Sequence, residues 1–252
     1  MKNITAVVDW IRQSHAVVGF TGAGISTGSG IPDFRGPNGV WAKYRTIMFD
    51  DFRANPADRE EYWRQKVESW PVIRDAAPND GHRFFNRLAA DGRLLGLITQ
   101  NIDGLHAKAG LSADRIVRLH GWLQEVVCLS CGRTIDMDDA CGRVERGEAA
   151  PNCTVCGGLL KPATISFGQS LRQADLRRAA DLAVRCDLFI AAGSSLVVQP
   201  AAGFPALAKE NRARLVIVNN RATPLDRLAD AVIRGDITTV FREMDRLLQG
   251  YI

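Results

Sequence analysis

The stretch AVVGFTGAGISTG, residues 16–28, places a glycine-rich turn directly after a short apolar run. A short apolar run that stops at glycine is typical of a buried strand. Glycines at the end of such a strand let the backbone approach a phosphate group, as dinucleotide-binding loops do. The third glycine, Gly28, comes one place later than in the usual G-x-G-x-x-G pattern. The match is therefore weak by itself, and a plain strand-to-helix turn stays an alternative.

Similar apolar runs recur along the chain, and segments long enough for a helix separate most of them. The runs cover residues 94–99, 116–119, 188–191, 215–218 and 231–233. An amphipathic helix is expected at residues 4–11, crossover helices at 80–90, 173–185 and 200–211, and a closing helix at 238–248. This alternation predicts an α/β fold with a parallel sheet.

Two segments interrupt the alternation, and each is predicted to be an insertion into the sheet domain. Residues 36–78 carry bulky side chains at helical spacing without a convincing strand. Residues 128–161 are rich in Cys, Gly and charge. The second segment has too little apolar content for a core, so we expect something other than hydrophobic burial to hold it together.

Composition and charge exclude several classes of protein. The 252 residues are 46% hydrophobic and 24% charged, which are ordinary globular values and argue against disorder. No run approaches the roughly 18 apolar residues of a membrane span, and the first residues are not patterned like a secretion signal. The net charge of +4 is spread along the chain, so it gives little support for nucleic-acid binding. We therefore expect a cytoplasmic protein with neither a membrane nor a specific nucleic-acid partner.

Two C-x-x-C knuckles are the strongest local motif in the sequence. With 21 residues between them, they are formed by Cys128, Cys131, Cys153 and Cys156. Two residues between thiolates let both sulfurs point at one ion, and four sulfurs close a tetrahedral zinc site with no open position. A single structural Zn²⁺ is expected, with free or disulfide-linked thiols as the alternative. Cys141 and Cys186 have no partner motif and are interpreted as ordinary small residues.

Polar side chains follow several of the predicted strands. Thr99-Gln100-Asn101-Ile102-Asp103 ends one strand, His120 ends the next, Gly193-Ser194 follows a third and Asn219 a fourth. Ligands collect outside the carboxyl ends of parallel strands, so this shared edge is the predicted site. His120 is the candidate general base because an imidazole titrates near neutral pH. The other histidines are interpreted as structural, and the loop GIPDFRG at residues 30–36 as a functional loop, or else as a surface pair of Asp33 with Arg35.

Taken together and in this order, the motifs resemble those of the sirtuins, NAD-dependent protein lysine deacylases. The resemblance spans nearly the whole chain and rests on GAGIS at Gly22, GIPDFR at Gly30, TQNIDGLH at Thr99, HG at His120, the two knuckles, and GSSL at Gly193. The family's fold implies a Rossmann-like domain of residues 1–35, 79–122 and 162–252, a helical module of 36–78 and a zinc-ribbon module of 123–161.

The resemblance also implies which residues hold NAD. Those expected to line the NAD pocket are Gly22, Ala23, Thr27, Phe34, Arg35, Gln100, Asn101, Ile102 and Asp103, with Asn101 and Asp103 near the nicotinamide amide. Those expected to hold the adenosine half are Gly193, Ser194, Asn219, Asp236 and Ile237.

For the substrate, the resemblance implies an acylated-lysine peptide that pairs as an added strand beside Phe167 and Gly168. Gln169 stands where the family has glutamate, which changes local hydrogen bonding. Family members that prefer succinyl-lysine carry arginine three residues after the position of Tyr62, where this chain has Gln65. Because Gln65 brings no charge, we expect acetyl or another neutral acyl group to be favoured.

In the implied reaction, nicotinamide leaves NAD, and His120 acts as base toward a ribose hydroxyl. The products are free lysine, nicotinamide and O-acyl-ADP-ribose. A mono-ADP-ribosyltransferase using the same NAD site is the nearest alternative. A zinc-ribbon nucleic-acid-binding protein is a further alternative, but it leaves GIPDFR and TQNID unexplained.

Overall fold

The structure is a computed structural model that describes residues 2–33, 36 and 39–250. Its helices are α1 Lys2–Gln13, α2 Val40–Lys43, α3 Phe49–Ala54, α4 Pro56–Asp75, α5 Asp80–Ala90, α6 Leu105–Lys108, α7 Met137–Glu145, α8 Gln173–Arg185, α9 Phe204–Glu210 and α10 Ile237–Leu248. Its strands are β1 Val17–Thr21, β2 Leu94–Thr99, β3 Ile116–Arg118, β4 Gly121–Cys128, β5 Thr134–Asp136, β6 Leu160–Thr164, β7 Leu188–Ala192, β8 Arg214–Val218 and β9 Ala231–Ile233.

The larger sheet is parallel and has six strands in the order β3-β2-β1-β7-β8-β9. On one side of the sheet centre, β1 is followed outward by β2 and β3. On the other side, β7 is followed outward by β8 and β9. The register between these central strands pairs Val17 with Leu188 and Thr21 with Ala192. The carboxyl ends of β1 and β7 therefore meet at a topological switch point, which is where ligands bind in open α/β sheets.

Helices cover both faces of this sheet, as the continuously apolar strands require. On one face, α1, α5 and α10 pack around a core that includes Phe84, Phe85 and Phe241. On the other face, α8 and α9 bury side chains against Phe20 and Phe189. Within the described residues, no helix has the length and apolar character needed to cross a bilayer.

The expected elements of the sheet domain are confirmed with small shifts at their ends. The helices predicted at 80–90 and 173–185 have the bounds of α5 and α8, and the strands predicted at 94–99 and 231–233 have those of β2 and β9. The helix predicted at 200–211 is instead a 3₁₀ turn, Ala201–Gly203, followed by α9. Pro205 lies in the first turn of α9, where its missing N–H costs no helical hydrogen bond.

The two insertions form one packed unit. Helices α2, α3 and α4 make up most of residues 40–75, and β4 pairs antiparallel with β5 and β6 in a small second sheet. A single core joins the aromatic side chains Phe52, Trp63 and Trp70 of the helices to Leu123 and Met137 of the ribbon. The ribbon is therefore not held by its own apolar side chains alone, because part of the core that covers it comes from the helices of the other insertion.

The position of Trp63 in this shared core gives a stability prediction. Its side chain is fully buried on α4, so Trp63→Ala should lower the free energy of unfolding by about 3–5 kcal/mol. Urea denaturation followed by circular dichroism measures the change. Val72 on the same helix is 50% exposed, so Val72→Ala is the matched control and should shift the midpoint little. Equal effects of the two substitutions would contradict the shared core.

Candidate active site and metal centre

The two central strands end in glycine loops that touch backbone to backbone. The Gly24 amide donates to the Gly193 carbonyl oxygen at 2.8 Å, and the Gly22 amide donates to the Ala192 carbonyl oxygen at 3.0 Å. A Cβ on Gly24 would lie 2.8 Å from the Gly193 oxygen, and a Cβ on Gly193 would lie 2.3 Å from the Ile25 nitrogen. Only glycine fits this contact, so the loops leave bare backbone at the switch point.

The turn after β1 differs in form from a phosphate-binding helix start. Two single-turn 3₁₀ helices, Ala23–Ile25 and Thr27–Ser29, follow the strand in place of an α-helix. What this loop offers a ligand is therefore the close approach of its backbone, as the glycine pattern predicted, and not the start of an α-helix.

A cleft of about 640 Å³ opens at this edge of the sheet. It is lined by residues that follow β1, β2, β3, β7 and β8, so the predicted common edge is present. The predicted site residues in its wall are Gly22, Ala23, Thr27, Gln100, Asn101, Ile102, His120, Gly193, Ser194 and Asn219, together with Tyr62, Phe167 and Gly168.

Some predicted site residues lie outside this wall. Asp103 lies behind it, as described below. Asp236 is exposed and caps α10 by accepting from the Thr239 amide, and it and Ile237 are absent from the lining. Phe34 and Arg35 lie outside the described residues.

Gln100 joins three strand ends and the candidate base. Its amide donates to the Thr21 carbonyl oxygen at 2.9 Å, and its side-chain oxygen accepts from the Ser194 hydroxyl at 2.7 Å. Its carbonyl oxygen lies 2.9 Å from Nδ1 of His120. A carbonyl can only accept, so Nδ1 carries the proton and Nε2 of the neutral ring is left with a free lone pair.

The electrostatic surroundings keep His120 neutral. The ring is half-buried in the wall of the cleft, and burial lowers its pKa from the ordinary 6.5, while the Gln100 carbonyl opposes that shift. A neutral imidazole with a free Nε2 can accept a proton near pH 7.

Asn101 and Asp103 are linked by Ser26, a residue that the sequence reasoning did not single out. The Ser26 hydroxyl donates to Oδ2 of Asp103 at 2.7 Å, and Nδ2 of Asn101 donates to Oγ of Ser26 and to the Gly22 carbonyl oxygen, both at 3.2 Å. Burial raises the pKa of Asp103, although hydrogen bonds from Leu105 and Ser26 oppose it. Ser26 lies in the quoted GAGIS motif, but only the folded chain brings it to residues 101 and 103.

The wall around Tyr62 carries positive charge. Nζ of Lys66 lines the same cleft and lies 5.0 Å from the Tyr62 ring centroid, and Nζ of the buried Lys161 lies 5.8 Å from it. Burial raises the pKa of Tyr62, but these two ammonium groups, together with hydrogen bonds to Thr164 and Ser166, lower it to about 8. Gln65 brings no charge, as the sequence shows, but Lys66 beside it places a cation at this end of the cleft.

Gln65 and Gln169 are both engaged with the protein. Nε2 of Gln65 donates to Oε1 of Glu61 at 2.8 Å. The Ser166 amide donates to Oε1 of Gln169 at 3.2 Å, so this side chain closes the turn that carries Phe167 and Gly168. Glutamine thus provides an acceptor at the place where the family has glutamate.

The four knuckle cysteines meet at one point, the four-cysteine cluster. Their sulfurs all lie within 4.8 Å of one another, with 3.5 Å between Cys128 and Cys156 and 3.8 Å between Cys131 and Cys153. A tetrahedral zinc with Zn–S bonds of about 2.3 Å requires sulfurs about 3.8 Å apart, so the cluster fits the ion. All four thiols are free, and the glycine after each knuckle has a positive φ, +73° at Gly132 and +71° at Gly157. The cluster is thus positioned to bind one Zn²⁺.

The other two cysteines have a different environment. Cys141 and Cys186 are buried, and burial raises the pKa of Cys141 to about 11 and that of Cys186 to about 12. Neither belongs to the four-cysteine cluster. Both therefore behave as small apolar residues.

The fold and the two sites define a Rossmann-like enzyme with a nucleotide-sized cleft and a structural metal site. The Sir2 family model matches residues 22–200, and the chain belongs to the Sir2 family. It is 47% identical to NAD-dependent protein deacetylase 1 of Bradyrhizobium diazoefficiens over 229 residues, which is 91% of this chain and 90% of that protein.

Solved structures agree with this assignment. A Sir2 variant with a deacetylated p53 peptide and 3′-O-acetyl-ADP-ribose superposes with a TM-score of 0.91, at 36% identity and 98% coverage of both chains. Sir2 with a p53 peptide and NAD⁺ superposes with a TM-score of 0.88, at 36% identity, covering 96% of this chain and 97% of that chain.

The four-cysteine cluster leads to a metal prediction. One zinc should bind per chain, and Cys128→Ser or Cys153→Ser should lose it and destabilise the ribbon, because the binding energy of a structural zinc is folding energy. Elemental analysis of the purified protein and its thermal melting curve measure both effects. Cys141→Ser is the control and should keep the zinc. Folded protein without zinc would contradict the assignment.

Proposed function

We propose that this chain removes acetyl groups from protein lysine side chains with consumption of NAD. The observation that carries the proposal is His120, whose free Nε2 lies in the wall of a cleft that also holds Asn101 and the touching glycine loops. The products are free lysine, nicotinamide and O-acetyl-ADP-ribose. Family membership and the named deacetylase relative support this activity.

The cleft fits NAD in size, charge and shape. Its volume of about 640 Å³ is within the usual range of cofactor sites. Three cationic side chains, Arg45, Lys66 and Arg221, line it against one carboxylate, Asp33, among the described residues. The backbone of the two glycine loops lines this cleft, so a pyrophosphate can approach it closely. When bound, NAD supplies the ADP-ribosyl group that takes over the acyl group.

The chain's own residues orient the co-substrate and move one proton. We assign the nicotinamide half to Gly22, Ala23, Thr27, Gln100, Asn101 and Ile102, with Asp103 behind them, and the adenosine half to Gly193, Ser194 and Asn219. His120 accepts a proton at Nε2 from a hydroxyl in the cleft, while the Gln100 carbonyl holds the opposite nitrogen. Contacts of Phe34, Arg35, Asp236 and Ile237 with NAD stay predictions.

The acetyl-lysine peptide enters beside the end of β6. Phe167 and Gly168 follow this strand, and the Phe167 side chain is 46% exposed at the rim of the cleft. A peptide that adds a strand there places its lysine toward Tyr62 and the cleft interior. Lys66 places a cation near Tyr62, so the missing charge at Gln65 does not by itself disfavour an acidic acyl group there.

We assign the chain to three functional units and the protein to the cytoplasm. Residues 1–35, 79–122 and 162–252 bind NAD, residues 36–78 form the helical module, and residues 123–161 form the ribbon, although β4 already begins at Gly121. The zinc cluster is a scaffold outside the chemistry. A reducing cytoplasm suits six free cysteines, four of them arranged for metal.

Incubation with an acetyl-lysine peptide and NAD, followed by mass spectrometry of peptide and nucleotide, tests the activity. Deacetylation predicts a peptide lighter by one acetyl group, with a hydrogen in its place, and O-acetyl-ADP-ribose among the nucleotides. ADP-ribosylated protein without deacetylated peptide would indicate the transferase alternative. No turnover of either substrate would contradict the proposal.

His120→Ala should abolish most of the deacetylation while NAD still binds, since the base acts on a co-substrate that other residues hold. Loss of a positioned base costs about 10²- to 10⁴-fold in rate. Steady-state kinetics measure the rate, and calorimetric titration measures NAD binding. His15→Ala at an exposed position is the matched control. Near-normal turnover by His120→Ala would contradict the role of His120.

The pH dependence follows from the lowered pKa of His120. The base works in its neutral form, so kcat/KM should stay high near neutral pH and fall only as the pH drops below a midpoint lower than 6.5. A profile from roughly pH 5 to 8 measures the midpoint. The residual kcat/KM of His120→Ala should not show this fall at low pH, because the titrating imidazole is gone. A midpoint above 6.5 in the unmodified enzyme would contradict the burial argument.

A further inference from the structure

We propose that His82 is a positioning residue of the active site that acts through Ser26 on Asn101 and Asp103. The inference rests on the proposed function, because those two residues are assigned to the nicotinamide half. His82 is fully buried on α5, away from the lining of the cleft. Its hydrogen bond toward the site goes to the Ser26 hydroxyl, which bonds in turn to Asn101 and Asp103.

The hydrogen bonds of His82 fix its tautomer. The backbone N–H of Asn79 donates to Nδ1 of His82 at 3.2 Å, so Nδ1 carries no proton. The proton of the neutral ring is therefore on Nε2. Nε2 lies 3.4 Å from Oγ of Ser26, to which it donates. Burial lowers the pKa of His82 to about 3, so the ring stays neutral and this direction of donation does not change near neutral pH.

The direction of this donation determines where the Ser26 proton points. A hydroxyl has one proton and two lone pairs. Nε2 of His82 and Nδ2 of Asn101 both donate to Oγ of Ser26, so the Ser26 proton is left for Oδ2 of Asp103 at 2.7 Å. His82 thus selects one arrangement of the whole group, with the Asp103 carboxylate as its final acceptor.

The same arrangement fixes the Asn101 amide. Both protons of its Nδ2 are used, by Ser26 and by the Gly22 carbonyl oxygen, so Oδ1 is the remaining acceptor of a side chain that lines the cleft. Without the His82 donor, Ser26 keeps a free lone pair and can rotate its proton. Asn101 and Asp103 then lose their single orientation.

A purely structural role for His82 is the competing explanation. Nδ1 closes a capping box at the start of α5 with Asn79, and the ring packs 4.8 Å from the His106 ring. Such a role predicts effects on stability alone. Nδ1 bonds at the start of α5 and Nε2 bonds to Ser26, so substitutions by amide side chains of different length can test the two contacts one at a time.

His82→Asn and His82→Gln form the decisive pair of variants. Asn places a polar atom where Nδ1 lies but does not reach Ser26, whereas Gln places an amide nitrogen where Nε2 lies. We expect His82→Asn to lower kcat/KM for NAD about tenfold, the loss of roughly one hydrogen bond to the site, and to change inhibition by nicotinamide. His82→Gln should bring both kcat/KM for NAD and the inhibition constant of nicotinamide back toward the values of the unmodified enzyme. Thermal melting, with rates normalised to active enzyme, separates these effects from unfolding.

Ser26→Ala removes the proposed link without changing any residue of α5. If His82 acts through Ser26, the Ser26→Ala/His82→Asn double variant should show the same NAD and nicotinamide constants as Ser26→Ala alone. Additive losses, unchanged constants in His82→Asn, or no rescue by Gln would each overturn the positioning role. An unmodified enzyme without deacetylase activity would instead overturn the proposed function.

Discussion

The contact between the glycine loops after β1 and β7 is the constraint on which the rest of the site depends. The Gly24 amide and the Gly193 carbonyl meet at 2.8 Å, and a Cβ on either glycine would collide with the opposite backbone. Because these are the central strands of the sheet, the contact sets how closely the two halves approach at their carboxyl ends. The cleft opens at that point, and its walls are the loops that follow the neighbouring strands.

The polar side chains in the wall of the cleft and directly behind it are connected by hydrogen bonds. Ser26, Asn101 and Asp103 satisfy one another, and Gln100 joins Ser194 to His120 through its side chain and its carbonyl. Buried polar groups are costly unless paired, so each side chain has few alternative orientations. The result is a set of groups already oriented before any ligand arrives, which is what positioning a co-substrate requires.

The two insertions stabilise each other through a shared core. The ribbon alone has a small core, and the helical segment alone has aromatic side chains without a sheet to cover them. Their shared core around Trp63 and Leu123 buries both, and the four-cysteine cluster ties the far end of the ribbon. Tyr62, on the same helix as Trp63, is held against the cleft by this packing. The insertions therefore contribute to the shape of the substrate side of the site.

The sequence by itself determined the local features. The alternation of apolar runs predicted the parallel sheet and its helices to within a few residues, the knuckle spacing predicted the cysteine cluster, and the polar residues after each strand predicted the edge where the cleft lies. These features depend on neighbours in the chain, since periodicity and turn chemistry act over short distances. Only the tertiary structure decided the core shared by residues 40–75 with the ribbon, the place of Lys66 beside Tyr62, and the approach of Ser26 and His82 to Asp103. Ser26 and Asp103, for example, are 77 positions apart, and no local pattern encodes which distant partner a buried polar group will meet.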